Sequence, residues 1–223
     1  MNILVTGGAG YIGSVLTTSL VNDNHYVTCL DNLLFNENFI SNLSSFKNFK
    51  FVKQDINNHN AIKDIIEKNK YDVVIHLAAI VGDPACKLYR ELAIKTNLKS
   101  TKWLIDQSMI NGVKQFIFAS TCSNYGKMSL EDNFVNESSL LSPVSLYAEL
   151  KVEIENYLLN DIQKVESFSP TSLRFATVYG LSPRMRFDLT VNEFVRELTL
   201  GRTLEVFGEQ FWRPYCHVKD FTN

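Results

Sequence analysis

The feature that most constrains this chain is a cluster of glycines directly after its first apolar run. Ile3, Leu4 and Val5 are all apolar, as in a strand buried on both faces of a parallel sheet. The run ends at residues 6–13, TGGAGYIG, and apolar residues then follow at helical spacing. A strand, a glycine turn and a helix in succession are the setting in which spaced glycines bind a dinucleotide.

Two overlapping glycine patterns fit that setting. Gly8, Gly10 and Gly13 satisfy the dinucleotide fingerprint, and Gly7, Gly10 and Gly13 satisfy a wider-spaced variant. The glycines allow a tight turn, a close approach of the backbone to a pyrophosphate, and close packing of helix on strand. The phosphates would lie on the free N–H groups at the helix N-terminus. The motif alone leaves open a glycine-rich turn of any α/β protein.

A carboxylate at the end of the second apolar run favours the dinucleotide interpretation. This run, residues 26–30, ends at Asp31, at about the twenty-residue separation at which an acid accepts hydrogen bonds from a ribose diol. A carboxylate there also repels the additional phosphate of NADP. The sequence therefore favours NAD over NADP.

Composition limits the partners and the compartment. The net charge of −2 indicates neither a nucleic-acid-binding nor an anionic-membrane surface. The cysteines are scattered without metal-ligand spacing, which is typical of reduced intracellular thiols. They are Cys29, Cys86, Cys122 and Cys216. The chain enters its first strand without room for a signal peptide, and it has no run that could span a bilayer, so we expect a cytoplasmic protein. The cysteine spacing predicts no bound metal.

Strand and helix patterns alternate along the chain. Further strands are predicted at residues 49–52, 71–77, 113–119 and 171–178. Helices are predicted at residues 59–68, 88–110 and 144–159, with at most a short helix in the polar stretch 32–48. This alternation predicts an α/β fold with a doubly wound parallel (Rossmann) sheet, whose ligands lie at the carboxyl ends of the strands.

The pattern changes after Gly180. A basic loop with Arg184 and Arg186 precedes a predicted helix at 189–200 and predicted strands at 204–207 and 213–218. The loop is equally consistent with solvated charge and with a phosphate contact. We predict a dinucleotide-binding domain at 1–179 and the start of a small, incomplete substrate lobe at 180–223.

A tyrosine and a lysine four residues apart lie on the helix predicted at 144–159. Tyr147 and Lys151 share one face of that helix. A nearby ammonium favours phenolate, so the tyrosine could exchange a proton with a sugar hydroxyl. In isolation such a pair is more often an ordinary surface pair. The hydroxyl-rich end of the fifth strand, residues 118–126, makes an active site the better interpretation.

Together these motifs resemble the NAD-dependent epimerase/dehydratase family of extended short-chain dehydrogenases/reductases, which act on nucleotide sugars. The resemblance runs from Ile3 to the C-terminus. It is carried by the glycine turn, Asp31, Asp55-Ile56, residues 76–79, Asn97, Ser120-Thr121, Tyr147/Lys151, residues 173–175 and residues 213–220.

The resemblance implies a role for each matching residue. The cofactor would be held by Gly7, Gly10, Tyr11, Ile12, Asp31, Asn32, Asp55, Ile56, Leu77, Ala78, Ala79 and Lys151. Catalysis would fall to Thr121, Tyr147 and Lys151, and substrate contacts to Ser123, Thr177 and Arg213. Asn97 would be a structural support, and the helices predicted at 88–110 and 144–159 would form a homodimer interface. From their positions alone, His76 is predicted to be structural and Trp103 to belong to the core or to the dimer interface.

Departures from the family pattern bear on the reaction. Dehydratases of the family carry Asp-Glu directly after the catalytic threonine, where this chain has Cys122 and Ser123. That favours epimerisation or carbonyl reduction over dehydration. The asparagine of many 4-epimerases is replaced at Thr177, and the family's Arg-Asp-Tyr segment has Pro214 in its middle. The sequence stops at Asn223, where relatives continue.

The resulting hypothesis is an NAD-dependent nucleotide-sugar epimerase. A nucleotide-sugar reductase or dehydrogenase is the alternative within the same class. A catalytically inactive NAD-binding protein is the alternative from a different class.

Overall fold

A six-stranded parallel sheet forms the centre of the protein. The structure, a computed structural model, describes residues 1–34, 38–126, 134–162, 166–206, 208–210 and 212–222. The strands are β1 (Asn2–Thr6), β2 (Tyr26–Asp31), β3 (Phe49–Lys53), β4 (Val73–His76), β5 (Gln115–Thr121) and β6 (Ser169–Phe175). Their order is β3-β2-β1-β4-β5-β6, and the direction of winding changes between β1 and β4. The predicted doubly wound Rossmann sheet is confirmed.

Helices cover both faces of this sheet. They are α1 (Tyr11–Asn22), α2 (Asn38–Ser41), α3 (His59–Asn69), α4 (Asp83–Leu88), α5 (Arg90–Ala93), α6 (Thr101–Ile110), α7 (Leu146–Asn156) and α8 (Thr190–Thr199). π-Helical segments join α5 to α6 (Ile94–Ser100) and follow α7 (Tyr157–Asp161). In the described residues no helix is both long and apolar enough to cross a bilayer.

The strand side chains alternate between two cores. On one face Leu4 and Phe116 pack with Ile62 of α3 and Ile154 of α7. On the other face the neighbouring strand residues pack against α1 and include Val5. Because successive side chains of a strand point to opposite faces, a sheet buried on both sides requires the continuous apolar runs seen in the sequence.

The helix predicted at residues 88–110 is found from Arg90 to Ile110, and a separate short helix precedes it. Helix α4 begins earlier, at Asp83, and ends at Leu88, and Tyr89 leaves helical geometry with φ −112° and ψ 48°. The chain is then helical from Arg90 to Ile110. No glycine or proline lies at Tyr89, and the apolar periodicity continues across it. The sequence pattern therefore does not reveal the break.

The strand predicted at 171–178 is two strands that belong to different sheets. β6 ends at Phe175, and β7 (Thr177–Tyr179) instead pairs in parallel with β8 (Tyr215–His217). The separation is held by the Thr177 N–H, which donates to the Pro214 carbonyl at 3.0 Å.

The strand predicted at 204–207 is wrong for its described part. Residues 204–206 have no regular structure, and residue 207 lies outside the described residues. An alternating pattern makes a strand only where a partner strand is available, and none of the described strands pairs with this segment.

Candidate active site

The glycine turn between β1 and α1 is shaped by two close approaches. Gly7 has φ +71°, and a Cβ there would lie 2.6 Å from the Ala78 backbone nitrogen. A Cβ on Gly13 would collide with the Gly7 carbonyl and lie 2.8 Å from the Gly8 Cα. Both obstacles are backbone atoms, which cannot rotate away. The turn therefore brings β1, the start of α1 and the residues after β4 into direct contact.

The N-terminus of α1 is suited to an anion. Gly10 is its N-cap and supplies no side-chain cap, and the first turn carries no acidic residue. The Ser14 N–H is the first to bond back along the helix, to the Gly10 carbonyl at 2.9 Å. The amides of Tyr11, Ile12 and Gly13 lie before it at the positive end of the helix dipole.

Asp31 lies beside this turn, at the end of β2. Its carboxylate accepts the Ala9 N–H at 3.0 Å and the Leu33 N–H at 2.8 Å. Asn32 donates to Asp55 at 3.3 Å, which connects the ends of β2 and β3. Ile56, the next residue, is buried. The predicted ribose and adenine residues are therefore neighbours.

The residues after β4 complete the same edge. The Leu77 N–H donates to the Thr6 carbonyl at 3.0 Å. Buried Asn97 accepts from the Ile80 N–H and donates to the Ile80 carbonyl, both at 2.8 Å. It thereby holds the backbone just beyond Ala78 and Ala79, as expected of a structural support.

The three predicted catalytic residues lie on β5 and α7. Thr121 is the last residue of β5, and its hydroxyl accepts the Ser123 N–H at 3.2 Å. Helix α7 begins at Leu146 because Ser145 caps it, accepting the Ala148 N–H at 3.4 Å. This start places Tyr147 in its first turn.

Lys151 connects the helix to the strand. Its Nζ donates to the Ala119 carbonyl at 2.6 Å and lies 5.7 Å from the centre of the Tyr147 ring. It also lies 4.4 Å from the centre of the Phe118 ring. The ammonium group is therefore held between β5 and the face of α7 that carries the tyrosine.

Burial controls the protonation of this pair. It lowers the pKa of Lys151 to about 8, against opposing effects of Cys86 and Glu155. Burial raises the pKa of Tyr147, and the positive charge of Arg186 opposes that rise. In the protein alone the phenol is thus protonated at neutral pH, since burial outweighs the nearby positive charge.

The predicted substrate residues converge on the same strand ends. Ser123 lies in the 3-10 turn Cys122–Tyr125 that follows β5. The β7–β8 pair brings Thr177 opposite Tyr215, two residues beyond exposed Arg213. Burial raises the pKa of the Cys122 thiol and the Arg213 charge opposes this, so Arg213 lies within electrostatic range of the β5 end.

His76 is structural, as its position next to the cofactor residues suggested. Its ring is buried and bonds the Thr6 hydroxyl at 2.6 Å and the Thr101 hydroxyl at 2.9 Å. Burial lowers its pKa to about 3, and the Lys151 charge adds to the effect. Within the described ranges no three His, Cys, Asp or Glu residues are grouped as metal ligands.

A clamp on Tyr11 was not anticipated from the sequence. The Tyr11 hydroxyl donates to the Gly180 carbonyl at 2.5 Å and accepts from Asn192 at 3.0 Å. Asn192, which is buried on α8, also accepts the Gly180 N–H at 3.0 Å. No local pattern marks an asparagine on an amphipathic helix as the partner of a glycine-turn tyrosine.

A buried acid on α7 was also overlooked. Glu155 bonds Ser120, Asn124 and Arg174. Its signal was available, because it follows Lys151 by one further turn on the same helix face.

Comparison with known proteins agrees with this geometry. Residues 3–223 match the NAD-dependent epimerase/dehydratase family. An uncharacterized UDP-glucose epimerase of Bacillus subtilis is 31% identical over 230 aligned residues, covering 99% of this chain and 70% of that protein. Other relatives are longer, and the chain spans 49% of one of them.

Two solved structures share the fold. The UDP-glucose 4-epimerase of Thermotoga maritima, solved with UDP-glucose, matches 100% of this chain and 71% of its own, with 31% identity and a TM-score of 0.88. The Thermus thermophilus UDP-glucose 4-epimerase, in complex with NAD, matches 100% of this chain and 72% of its own, with 26% identity and a TM-score of 0.84. On its sequence, its fold and its glycine turn, the chain belongs to the NAD-dependent epimerase/dehydratase family.

Proposed function

We propose that this protein is an NAD-dependent nucleotide-sugar epimerase. The observation that carries the proposal is the position of Lys151, whose ammonium joins the Thr121 strand end to the helix face of Tyr147. This arrangement lies at the carboxyl edge of the sheet, where the glycine turn also opens. The named relatives act on UDP-sugars, so UDP-sugars are the substrates to test first.

The glycine turn supports NAD as the cofactor. The amides of Tyr11 and Ile12, with Gly7 and Gly10, would hold the pyrophosphate at the start of α1. Asp31 and Asn32 would hold the adenosine ribose. The adenine would lie between Asp55 and Ile56, and the rest of the dinucleotide along residues 77–79. Lys151 would bond the nicotinamide ribose.

In the proposed reaction this chain's residues move a proton and hold the sugar. The cofactor held by the glycine turn would supply the chemistry of hydride removal from a sugar carbon and hydride return to the other face of the keto-sugar. Tyr147 would accept the proton of the sugar hydroxyl and give it back, and Thr121 would bond the reacting oxygen. The guanidinium of Arg186 lowers the pKa of Tyr147, against the effect of burial. The ammonium of Lys151, 5.7 Å from the centre of the ring, would also favour the phenolate that this exchange requires.

The substrate would be held by residues from both parts of the chain. Arg213 would pair with the diphosphate through its fork of donors. Ser123 and Thr177 would contact the sugar. Cys122 and Ser123 occupy the positions of the acid pair found in the family's dehydratases. A thiol and a hydroxyl cannot do the acid and base work of two carboxylates, which argues against dehydration. We propose that residues 1–179 hold the cofactor and that 180–223 contribute to the substrate lobe.

The decisive experiment follows product and cofactor together. Purified protein with NAD and a panel of UDP-sugars should interconvert two epimers, resolved by NMR, without accumulation of NADH. A steady stoichiometric rise of NADH would move the protein to the dehydrogenases, and consumption of added NADH to the reductases. A Tyr147→Phe preparation is the control for contaminating epimerase.

Two further features belong to the proposal. We propose a homodimer through the helical stretches that contain α6 and α7, supported by Leu92, Ile110 and Leu159, which are exposed there. Light scattering would test it, and a monomer at micromolar concentration would contradict it. We also propose a cytoplasmic location, supported by the four cysteines, which are free thiols.

A further inference from the structure

Glu155 is a buried acid that has no role in the proposed reaction as described so far. Glu155 lies on α7 and is 2% exposed. One carboxylate oxygen accepts the Ser120 hydroxyl at 2.5 Å and the Asn124 amide at 2.8 Å. The other accepts two N–H groups of Arg174, at 3.0 and 2.8 Å.

The arginine neutralises the buried charge. A carboxylate removed from water is strongly destabilising unless it is paired and hydrogen-bonded. The bond to Glu155 raises the pKa of the Arg174 guanidinium, which also donates to the Tyr125 hydroxyl at 3.0 Å. A buried pair also requires hydrogen bonds to the remaining lone pairs of the carboxylate, and the two additional donors to Glu155 supply them from residues around Thr121.

Those additional donors lie on both sides of Thr121. Ser120 immediately precedes it on β5, and Asn124 lies in the 3-10 turn that follows it. Asn124 also donates to the Ser120 hydroxyl at 3.0 Å. One carboxylate on α7 therefore holds both ends of the turn that presents the threonine.

The same acid lies on the catalytic face of the helix. Tyr147, Lys151 and Glu155 follow one another at intervals of four residues. Moving Glu155 relative to β5 would therefore move Tyr147 and Lys151 relative to Thr121. The carboxylate is thus placed to set the distance between the two halves of the site.

Glu155 also supplies charge to Lys151. The groups that face this lysine are Cys86 of α4, with Asp83 beside it, His76 of β4, and Tyr147 and Glu155 of α7. Burial raises the pKa of Cys86 to about 11 and lowers that of His76 to about 3, so both are neutral at pH 7. Glu155 is then the acid on the lysine's own helix that favours its ammonium form.

We propose that Glu155 is a positioning residue of this site, which fixes the Thr121 turn against α7 and places a buried negative charge one helical turn from the Lys151 ammonium. Its importance for catalysis rests on the proposed epimerase function. Its effect on Lys151 rests on their four-residue spacing on α7 and on the burial of both side chains.

The test is a titration of Lys151 by heteronuclear NMR of lysine-labelled protein, with the signal assigned by its loss in Lys151→Met. In the unmodified chain the ammonium should titrate near pH 8. Glu155→Gln should shift the titration to lower pH, and Glu155→Asp, which keeps the charge, should restore it in part. The matched control is Glu153→Gln, which removes an exposed carboxylate of the same helix that pairs with Lys102. An unchanged titration in Glu155→Gln, or an equal shift in Glu153→Gln, overturns the proposal.

A second variant provides the same test if Glu155→Gln fails to fold. Glu155→Gln leaves the guanidinium of Arg174, whose side chain is 17% exposed, without its acid, which is destabilising. The double change Glu155→Gln with Arg174→Gln removes both charges and should fold. It should still titrate Lys151 at lower pH than the unmodified chain, and a titration near pH 8 in this double variant would contradict the proposal.

The outcome is separable from that of the proposed function. The titration needs no substrate. A shifted Lys151 titration in Glu155→Gln, in a protein that turns over no UDP-sugar, retains the electrostatic role and rejects a UDP-sugar epimerase. If the protein is an epimerase, Glu155→Gln should move the alkaline limb of its rate profile to lower pH, and Glu155→Asp should move it less. An active enzyme whose alkaline limb and Lys151 titration are both unmoved by Glu155→Gln rejects the positioning role and retains the epimerase.

Discussion

The large sheet and the segment after it bury apolar surface in different ways. In the sheet, helices on both faces leave Leu4, Val74 and Phe116 fully buried. After β6, the buried apolar residues Val178 and Val218 pack with Tyr11, which belongs to α1. The second region therefore takes part of its core from the glycine turn.

Exposure shows the same contrast. Apolar side chains after residue 180 that are at least half exposed are Leu181, Val195, Leu198, Leu200, Val206 and Trp212. We expect changes in the sheet region to act on the whole protein, because its core is shared by strands β1 to β5. Changes in the second region should act locally, through Tyr11.

The largest expected effect tests the assignment of the chemistry. Tyr147→Phe should lower turnover by about 100- to 10,000-fold, because it removes a positioned acid/base. NAD affinity, measured by calorimetry, should be nearly unchanged, since the phenyl ring retains the shape. Lys151→Ala should weaken both turnover and NAD binding. Full activity of Tyr147→Phe would place the chemistry elsewhere.

A pair of glycine substitutions tests global against local effects. Gly13→Ala should destabilise the protein by about 1–3 kcal/mol and weaken NAD binding, because the new Cβ meets backbone atoms of Gly7 and Gly8. Gly201, in the second region, has φ +66°, and a Cβ added there meets nothing within 4 Å. Only backbone strain therefore opposes Gly201→Ala. Urea unfolding and NAD titration of both variants provide the measurement. A loss of NAD affinity in Gly201→Ala as large as in Gly13→Ala would remove the distinction.

Acid should act on the sheet region through His76. Its folded pKa of about 3 lies below its ordinary value of 6.5, so the unfolded chain binds the proton more readily. This contribution to stability is present above pH 6.5 and is lost as the pH falls toward 3, by about 1.4 kcal/mol per pH unit. His76→Gln should flatten that slope in unfolding measurements. Equal slopes in the unmodified chain and in His76→Gln would contradict the prediction.

The smallest expected effect is confined to the second region. Asn192→Ala removes its bonds to Tyr11 and Gly180 and should cost about 1 kcal/mol. Hydrogen exchange should increase around β7 and α8 while the protection of β1 and β4 is kept. Asn156→Ala, at an exposed position on α7, is the control. Loss of protection throughout the sheet would show that the two regions are not separable in this way.

The sequence by itself determined the sheet, the glycine turn and the positions of the predicted cofactor residues. Each depends on neighbouring residues: apolar runs require burial on both faces, Gly7 and Gly13 permit backbone contact, and Asp31 ends the second strand. The Tyr147–Lys151 face is likewise set by helical spacing. Features set by residues close together in the sequence can therefore be predicted from it.

Features that depend on distant partners are visible only in the fold. The predicted strand at 171–178 is divided, because Thr177 bonds Pro214 instead of extending β6. Residues 204–206 have no regular structure, and a separate helix, α4, ends just before Tyr89. Asn192 meets Tyr11 across 181 positions, and Glu155 meets Arg174 across 19. Such contacts follow from how the chain is wound, and local side-chain periodicity carries no record of that.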